Sequence, residues 1–363
     1  MHHTAVRARR PTSRAAGPAV LTALAGTVLL ATPVAAHGPA PASPPDASSL
    51  LLGWTFEPLL TLGILAALVW WRWAIGRVNA AHPANPVPRR RTVAFVAGMA
   101  ALAVALLSGI DRYDTSLFSI HMVQHVLLTL VAAPLIALAA PITLLLRVAS
   151  PGTRRRVILP LLHARVTRIL AFPVVAWLIF AAVMWASHFS PLFDAALEAP
   201  LVHDLEHVLY LAAGLLFWWP AVALDPAPWR MPHPVRALYV FLQMTQNTLL
   251  AVVIVNAQTV LYPHYATVQR AWGPTPLADQ QMAGAFMWVA GDLLFLTATM
   301  AILVGWSRAE GRDAARADRL AAAELAEIRI REGRLADRLA RERGEAQADE
   351  RALDAQPGSG ASR

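Results

Sequence analysis

His121 and His125 stand four residues apart at the head of an apolar run, HMVQHVLLTLVAAPLIALAAPITLLL, that carries no charge from Val126 to Leu146. Side chains at i and i+4 share one helix face, so the two imidazoles would sit one turn apart, with Cβ atoms roughly 6 Å from each other. His203 and His207 repeat the spacing at the head of a second apolar run, LYLAAGLLFWWPAVAL. Ionisable groups at the mouth of a membrane span are costly to bury, so they are usually functional. Imidazole is also the commonest metal-ligating side chain. Two such pairs facing each other across a bundle would offer four imidazoles to one ion.

The choice of metal follows from the other donors. Cysteine is absent, which excludes a disulfide framework, a thiolate nucleophile and a Cys-ligated zinc or iron–sulfur site. Met122 adjoins the first pair, and Met282 and Met287 lie early in the last apolar run. Imidazole suits copper, zinc and iron, whereas thioethers select Cu(I). A His and Met set facing an oxidising compartment therefore favours copper, as Cu(I). The candidate ligands are His121, His125, His203, His207, His188, Met122 and His37. Each has a plainer reading: an interfacial His can be a hydrogen-bonded helix-end residue, and Met can fill a core, Met287 most readily. Asp204 and Glu206 flank the second pair. They read equally well as partners that orient imidazoles or as solvated acids at a helix start. Asp292, near the middle of the last run, is either a functional intramembrane carboxylate or a partner of Asn247 or Gln243.

The elements that must position these residues are membrane spans. The chain of 363 residues is 56% hydrophobic and only 15% charged, with a mean hydropathy of +0.47; soluble chains carry about 25% charged residues. The fold class is an all-α polytopic membrane helix bundle of about seven transmembrane helices. The net charge of +8 is not a nucleic-acid signal, because the arginines sit in short loops between apolar runs. Residues 1–36 read as a cleavable signal peptide, with Arg7, Arg9, Arg10 and Arg14 before AVLTALAGTVLLA and a small-residue cleavage site at Val34-Ala35-Ala36. Cleavage there would expose His37, whose α-amine and imidazole together chelate a copper ion. Residues 37–49 read as a flexible Pro-rich tether. The expected bundle occupies 50–306, with spans at about 50–73, 92–110, 117–140, 169–187, 201–224, 237–257 and 281–306. Pro134 and Pro141 should kink the third. His188 falls in the loop after the fourth span.

Arginine is concentrated in the loops after spans one, three and five and in the tail, while the other loops hold only Arg112 and Arg270. The mature N-terminus and the histidines thus face outside and the C-terminus faces the cytoplasm, as expected of a multi-pass plasma-membrane protein. Residues 307–363 read as a solvated, charge-balanced cytoplasmic helix.

At this point three stretches resemble a known family. HMVQHVLLTLVAAPLIALAAP, SHFSPLFDAALEAPLVHDLEHVLYLAAGLLFWWP and DQQMAGAFMWVAGD are similar, in order and spacing, to the multi-pass CtaG family of caa-type cytochrome c oxidase assembly factors. WTFEP and AHG also resemble it, and the likeness runs from Trp54 to Trp306. The single-span periplasmic copper chaperones that share the CtaG name use cysteines and are not similar. The resemblance implies a role in building a haem–copper oxidase through copper delivery. It singles out His121, His125, His188, His203, His207, Asp279, Gln280, Gln281, Met287 and Trp288. Expected partners are an oxidase subunit or copper chaperone and membrane lipid. No Gly-rich phosphate loop, Ser-His-Asp set or HExxH motif points to an enzyme. A haem-binding electron-transfer protein, a copper permease and a metal-free assembly scaffold are the rival readings.

Overall fold

A computed structural model describes residues 41–354. The expected signal segment and His37 lie outside the described residues. Up to Thr297 these residues form one compact unit, and from Ala298 they form another. Among the described residues the structure is helical and contains no strand.

The first unit is a bundle of long helices: α1 (Pro58–Ala81), α2 (Arg89–Leu107), α3 (Phe118–Val126), α4 (Pro173–His188), α5 (Pro200–Val222), α6 (His233–Asn256) and the start of α7 (Pro276–Asp354). Among the described residues, six helical stretches are long and apolar enough to cross a membrane, the third being Phe118–Val148, which α3 opens. The count becomes seven when α4 and the helix Leu192–Glu198, bent by 68° from it, are taken as one span. Apolar side chains on the bundle surface, such as Leu205, Val208 and Val289, are 58–70% exposed, as lipid-facing residues are.

The first span differs from the expected 50–73. Ala47–Leu52 is a separate short helix, started by a capping box in which Ser49 N–H donates to Asp46 Oδ1 (2.6 Å) and Asp46 N–H donates to Ser49 Oγ (2.9 Å). It ends at Gly53. The spanning helix starts at Pro58, because proline suits the first helical position and holds the preceding residue extended. Trp71 of α1 stacks on Phe95 of α2, with ring centroids 4.0 Å apart. The stretch read as a tether is held from Pro41 onward: its carbonyl accepts from Trp272 Nε1 (2.7 Å), and the Ser43 carbonyl accepts from Tyr113 (3.2 Å).

Pro134 leaves its mark on the third span. It has no N–H for the Leu130 carbonyl, and the turn before it widens into a π-helical stretch, Leu127–Ala132. The loosened backbone is satisfied by side chains. Trp218 Nε1 donates to the Thr129 carbonyl (2.8 Å), and Thr129 Oγ1 donates to the His125 carbonyl (2.6 Å). The helix resumes over Ala133–Ala139 and breaks at Ala140, which takes a left-handed φ of 56° ahead of Pro141. Both prolines thus distort the span, as expected. Two glycines allow close packing here. A Cβ on Gly98 of α2 would stand 2.9 Å from Ile136, and one on Gly214 of α5 would stand 3.0 Å from Ala133.

The second unit is helix, exposed throughout from Glu310 to Ala348. An i,i+4 pair, Arg331–Glu327 at 2.7 Å, lies on its surface.

Candidate metal centre

Two helix faces build the site. On α3, Phe118, His121, Met122 and His125 follow helical spacing and are all buried. On α5, His203, Glu206, His207 and Tyr210 stand at i, i+3, i+4 and i+7 and are likewise buried. Leu205, Val208 and Leu209 turn the other way, 49–63% exposed. The faces meet, so the two pairs anticipated from spacing become one cluster. Ring centroids are 4.2 Å apart for His121 and His125, 4.3 Å for His203 and His207, and 5.5 Å for His121 and His203.

Carboxylates enter between the imidazoles. Glu206 Oε2 lies 3.7 Å from His121 Nε2 and 3.9 Å from His125 Nε2. Asp114 Oδ2 lies 3.5 Å from His203 Nε2. Two ligands about 2.0–2.1 Å from one ion stand about 3.3 Å apart when tetrahedral, so small adjustments would bring these groups onto a metal. Two overlapping sets could hold an ion, Asp114–His121–His203 and His121–His125–Glu206. Neither Asp114 oxygen, neither His125 ring nitrogen and not Glu206 Oε2 has a hydrogen-bond partner, though all are buried. Buried polar atoms are nearly always satisfied, so this concentration of unmet donors and acceptors sets the cluster apart from an ordinary packed core. Burial, reinforced by the nearby Asp111 carboxylate, pushes the Asp114 carboxyl well above the usual carboxylate range.

Gln124 fixes the orientation of one imidazole. Its amide nitrogen donates to the Ala105 carbonyl (3.0 Å) and to Asp111 Oδ1 (3.1 Å). A carbonyl only accepts, so the amide oxygen must face His207 Nε2, 3.0 Å away. That nitrogen therefore carries the proton, and Nδ1 of the neutral ring keeps a lone pair.

His188 was expected in a loop. It is instead the last residue of α4, 4% exposed, and Phe193 of the bent-back helix packs against its ring. Proline at 191 and the apolar face of Phe193, Ala196 and Leu197 turn that supposed loop into a buried helix. Nδ1 of His188 donates to the Met184 carbonyl (2.7 Å), and Nε2 faces Met122 Sδ at 3.5 Å. The His125 ring lies 6.5 Å from that of His188 and 3.9 Å from that of Tyr210.

Other residues singled out by sequence lie elsewhere. Met282 is 56% exposed. Met287 is buried in the wall of a cavity beside His188. His264 hydrogen-bonds the Thr115 carbonyl (3.0 Å). Asp292 accepts from Asn247 (3.1 Å) and Thr248 (2.6 Å), not from Gln243. Asp279 accepts from the N–H groups of Phe118 and Ser119 and from Ser119 Oγ, which caps α3. Gln280 ties down Leu261 and Thr259. Trp288 is 41% exposed. Of the flanking acids, Glu206 points inward and Asp204 outward. Asp111, Asp114, Gln124 and Tyr210 are the site neighbours that spacing alone did not reveal.

Comparison with known proteins gives the context of this cluster. Uncharacterised proteins of Mycobacterium bovis and Mycobacterium tuberculosis are each 30% identical over 292 residues, 78% of this chain and 44% of theirs. One from Mycobacterium leprae is 29% identical over 284 residues, 76% of this chain and 43% of its own. The chain thus spans less than half the length of the curated relatives it matches. No solved structure matches it. Residues 67–309, which contain every buried histidine of the cluster, match the family described as cytochrome c oxidase caa3 assembly factor (Caa3_CtaG), and the chain belongs to that family.

Proposed function

We propose that the chain is a membrane-embedded, non-catalytic assembly factor that holds a copper ion at the α3–α5 cluster and hands it to a subunit of a haem–copper oxidase. The observation that carries this reading is the convergence of His121, His125, His203, Glu206 and Asp114 in one buried place, with ligand atoms of each of two triads close together. The carboxylates offset the charge of a bound cation. Family membership supplies the client class. The arginine distribution supports an outer-face position for the cluster, where metal arrives without crossing the bilayer. Hand-over proceeds by ligand exchange, and an overlapping ligand set suits that, since His121 belongs to both triads.

The test is metal analysis of detergent-purified protein. Wild type is expected to carry copper, and the variant His121→Ala/His125→Ala to lose the ion held at this cluster while keeping its helical spectrum and its place in the membrane. Equal copper in both would overturn the reading. A Soret absorption in place of copper would turn it toward haem, and copper accumulation in vesicles toward a permease.

A further inference from the structure

Beside the imidazole–carboxylate cluster lies a second place of different chemistry. A small cavity of about 30 Å³, room for a single ion or water, lies between α3, α4, α6 and α7. Three methionines line it, Met122 from α3, Met184 from α4 and Met287 from α7, together with His125, His188 and Gln243. No carboxylate lines it. We propose that this cavity is a separate, soft Cu(I) subsite, built on His188 Nε2 and Met122 Sδ with the thioethers of Met184 and Met287 in its wall. The proposal rests on the reading that copper is the cargo.

Three observations carry it. First, the Met184 carbonyl can only accept, so the Nδ1 atom of His188 holds the single proton of the neutral ring. Nε2 therefore presents a lone pair to Met122 Sδ, and the 3.5 Å contact is not a hydrogen bond from a ring N–H. Second, with metal–nitrogen and metal–sulfur bonds of about 2.0 and about 2.3 Å, donors 3.5 Å apart subtend about 109° at one ion, a tetrahedral angle. Third, Gln243 is 2% exposed, lines the same cavity and has an Oε1 atom without a hydrogen-bond partner. A further oxygen ligand thus lies beside the thioethers and imidazoles, in a wall completed by apolar and neutral polar side chains.

The two places differ in hardness. Asp114 and Glu206 give the first cluster oxygen ligands, which any divalent ion will accept. Thioethers without carboxylates select Cu(I). His125 belongs to both, because it lines the cavity and stands 3.9 Å from Glu206. An ion can therefore pass from the outer triads to the inner subsite by exchanging ligands at His125. The ion stays Cu(I) throughout, so no electron donor is required.

The test uses the purified full chain under anaerobic, reducing conditions, with Ag(I) and Cu(I) as soft probes and Zn(II) as the hard one. Bound metal is counted after desalting. The variant Met122→Leu/Met184→Leu/Met287→Leu is expected to bind one Ag(I) fewer than wild type, with Zn(II) unchanged. His121→Ala/His203→Ala is expected to lose Zn(II) and keep that Ag(I). X-ray absorption of the latter variant loaded with Cu(I) should show sulfur neighbours. Unchanged Ag(I) in the methionine variant, or only nitrogen and oxygen neighbours around copper, would overturn the subsite while leaving the outer copper site standing. A wild type that binds none of the three metals would overturn both. Melting temperatures identify a variant that fails to fold, and Met122→Leu alone, which conserves volume, then takes its place, with weaker Ag(I) binding expected.

Discussion

At the scale of single residues, the proposed metal cluster carries a cost in stability. Asp114 and Glu206 are buried with oxygens that no donor satisfies, and such groups each cost about 1–3 kcal/mol. Glu206→Gln should therefore raise the melting temperature of the metal-free protein and remove most of the rise that added Cu(I) gives wild type. A ligand that binds only the folded state stabilises it in proportion to its affinity. Asp204→Asn, one position from His203 but facing outward, should change neither number. If the two variants behave alike in thermal unfolding with and without Cu(I), Glu206 is not a ligand. Gln124 is the orienting residue, since its amide oxygen faces His207 Nε2 and so sets which nitrogen of that ring carries the proton. Outer-shell changes of this kind cost about 10–100-fold in metal affinity. That is the loss expected for Gln124→Leu in competition with a chromophoric Cu(I) chelator, with copper stoichiometry retained.

At the scale of elements, two aspartates do the same work at two helix starts. Asp279 accepts from Phe118 and Ser119 at the head of α3. Asp225 accepts from Ile142 N–H and from both the N–H and hydroxyl of Thr143, ahead of the helix Pro141–Val148. Each set consists of bonds to a buried carboxylate, and hydrogen bonds to charged groups contribute about 1.5–3 kcal/mol apiece. Asp279→Ala and Asp225→Ala should both lower the melting temperature markedly. Only Asp279→Ala should also weaken metal binding, because only α3 carries His121 and His125 in its first turns. Equal loss of Cu(I) affinity in both would mean that the site responds to general loosening. The same helices show what could be read in advance. Long uncharged runs announce spans, and Pro134 and Pro141 announce the distortions that the third span shows. The paired histidines were visible for the same reason, since i,i+4 spacing survives any tertiary arrangement. Glu206 and Asp204 read alike from the sequence; the fold separates them, because Glu206 shares the buried face of His203 and His207 and Asp204 does not. Asp114 was not legible. Its burial depends on Tyr265 and other groups from distant parts of the chain closing over a short loop. The bend after His188 was hidden similarly, because a proline and a buried face of Phe193 and Leu197 decide it, not the polarity of the segment.

At the scale of the whole chain, the division into two units separates metal chemistry from the charged helix. Every residue of both proposed metal places lies before Ala298, inside the first unit. Among the described residues, the second unit is exposed from Glu310 to Ala348. Its helix is supported by local pairs such as Glu327–Arg331, and such surface pairs contribute only about 0.3–0.5 kcal/mol each. Deleting residues 310–363 should therefore leave Cu(I) stoichiometry, Cu(I) affinity and the thermal unfolding of the bundle unchanged in detergent. Circular dichroism of the deleted chain should lose only the signal of that helix. Its own unfolding in the intact protein should be broad and begin at lower temperature, because a helix without tertiary packing melts by fraying from its ends. Loss of bound metal on deletion, with the bundle still folded, would show that the charged helix takes part in holding the ion. Unchanged metal with reduced delivery to an oxidase would place its role in contact with the client.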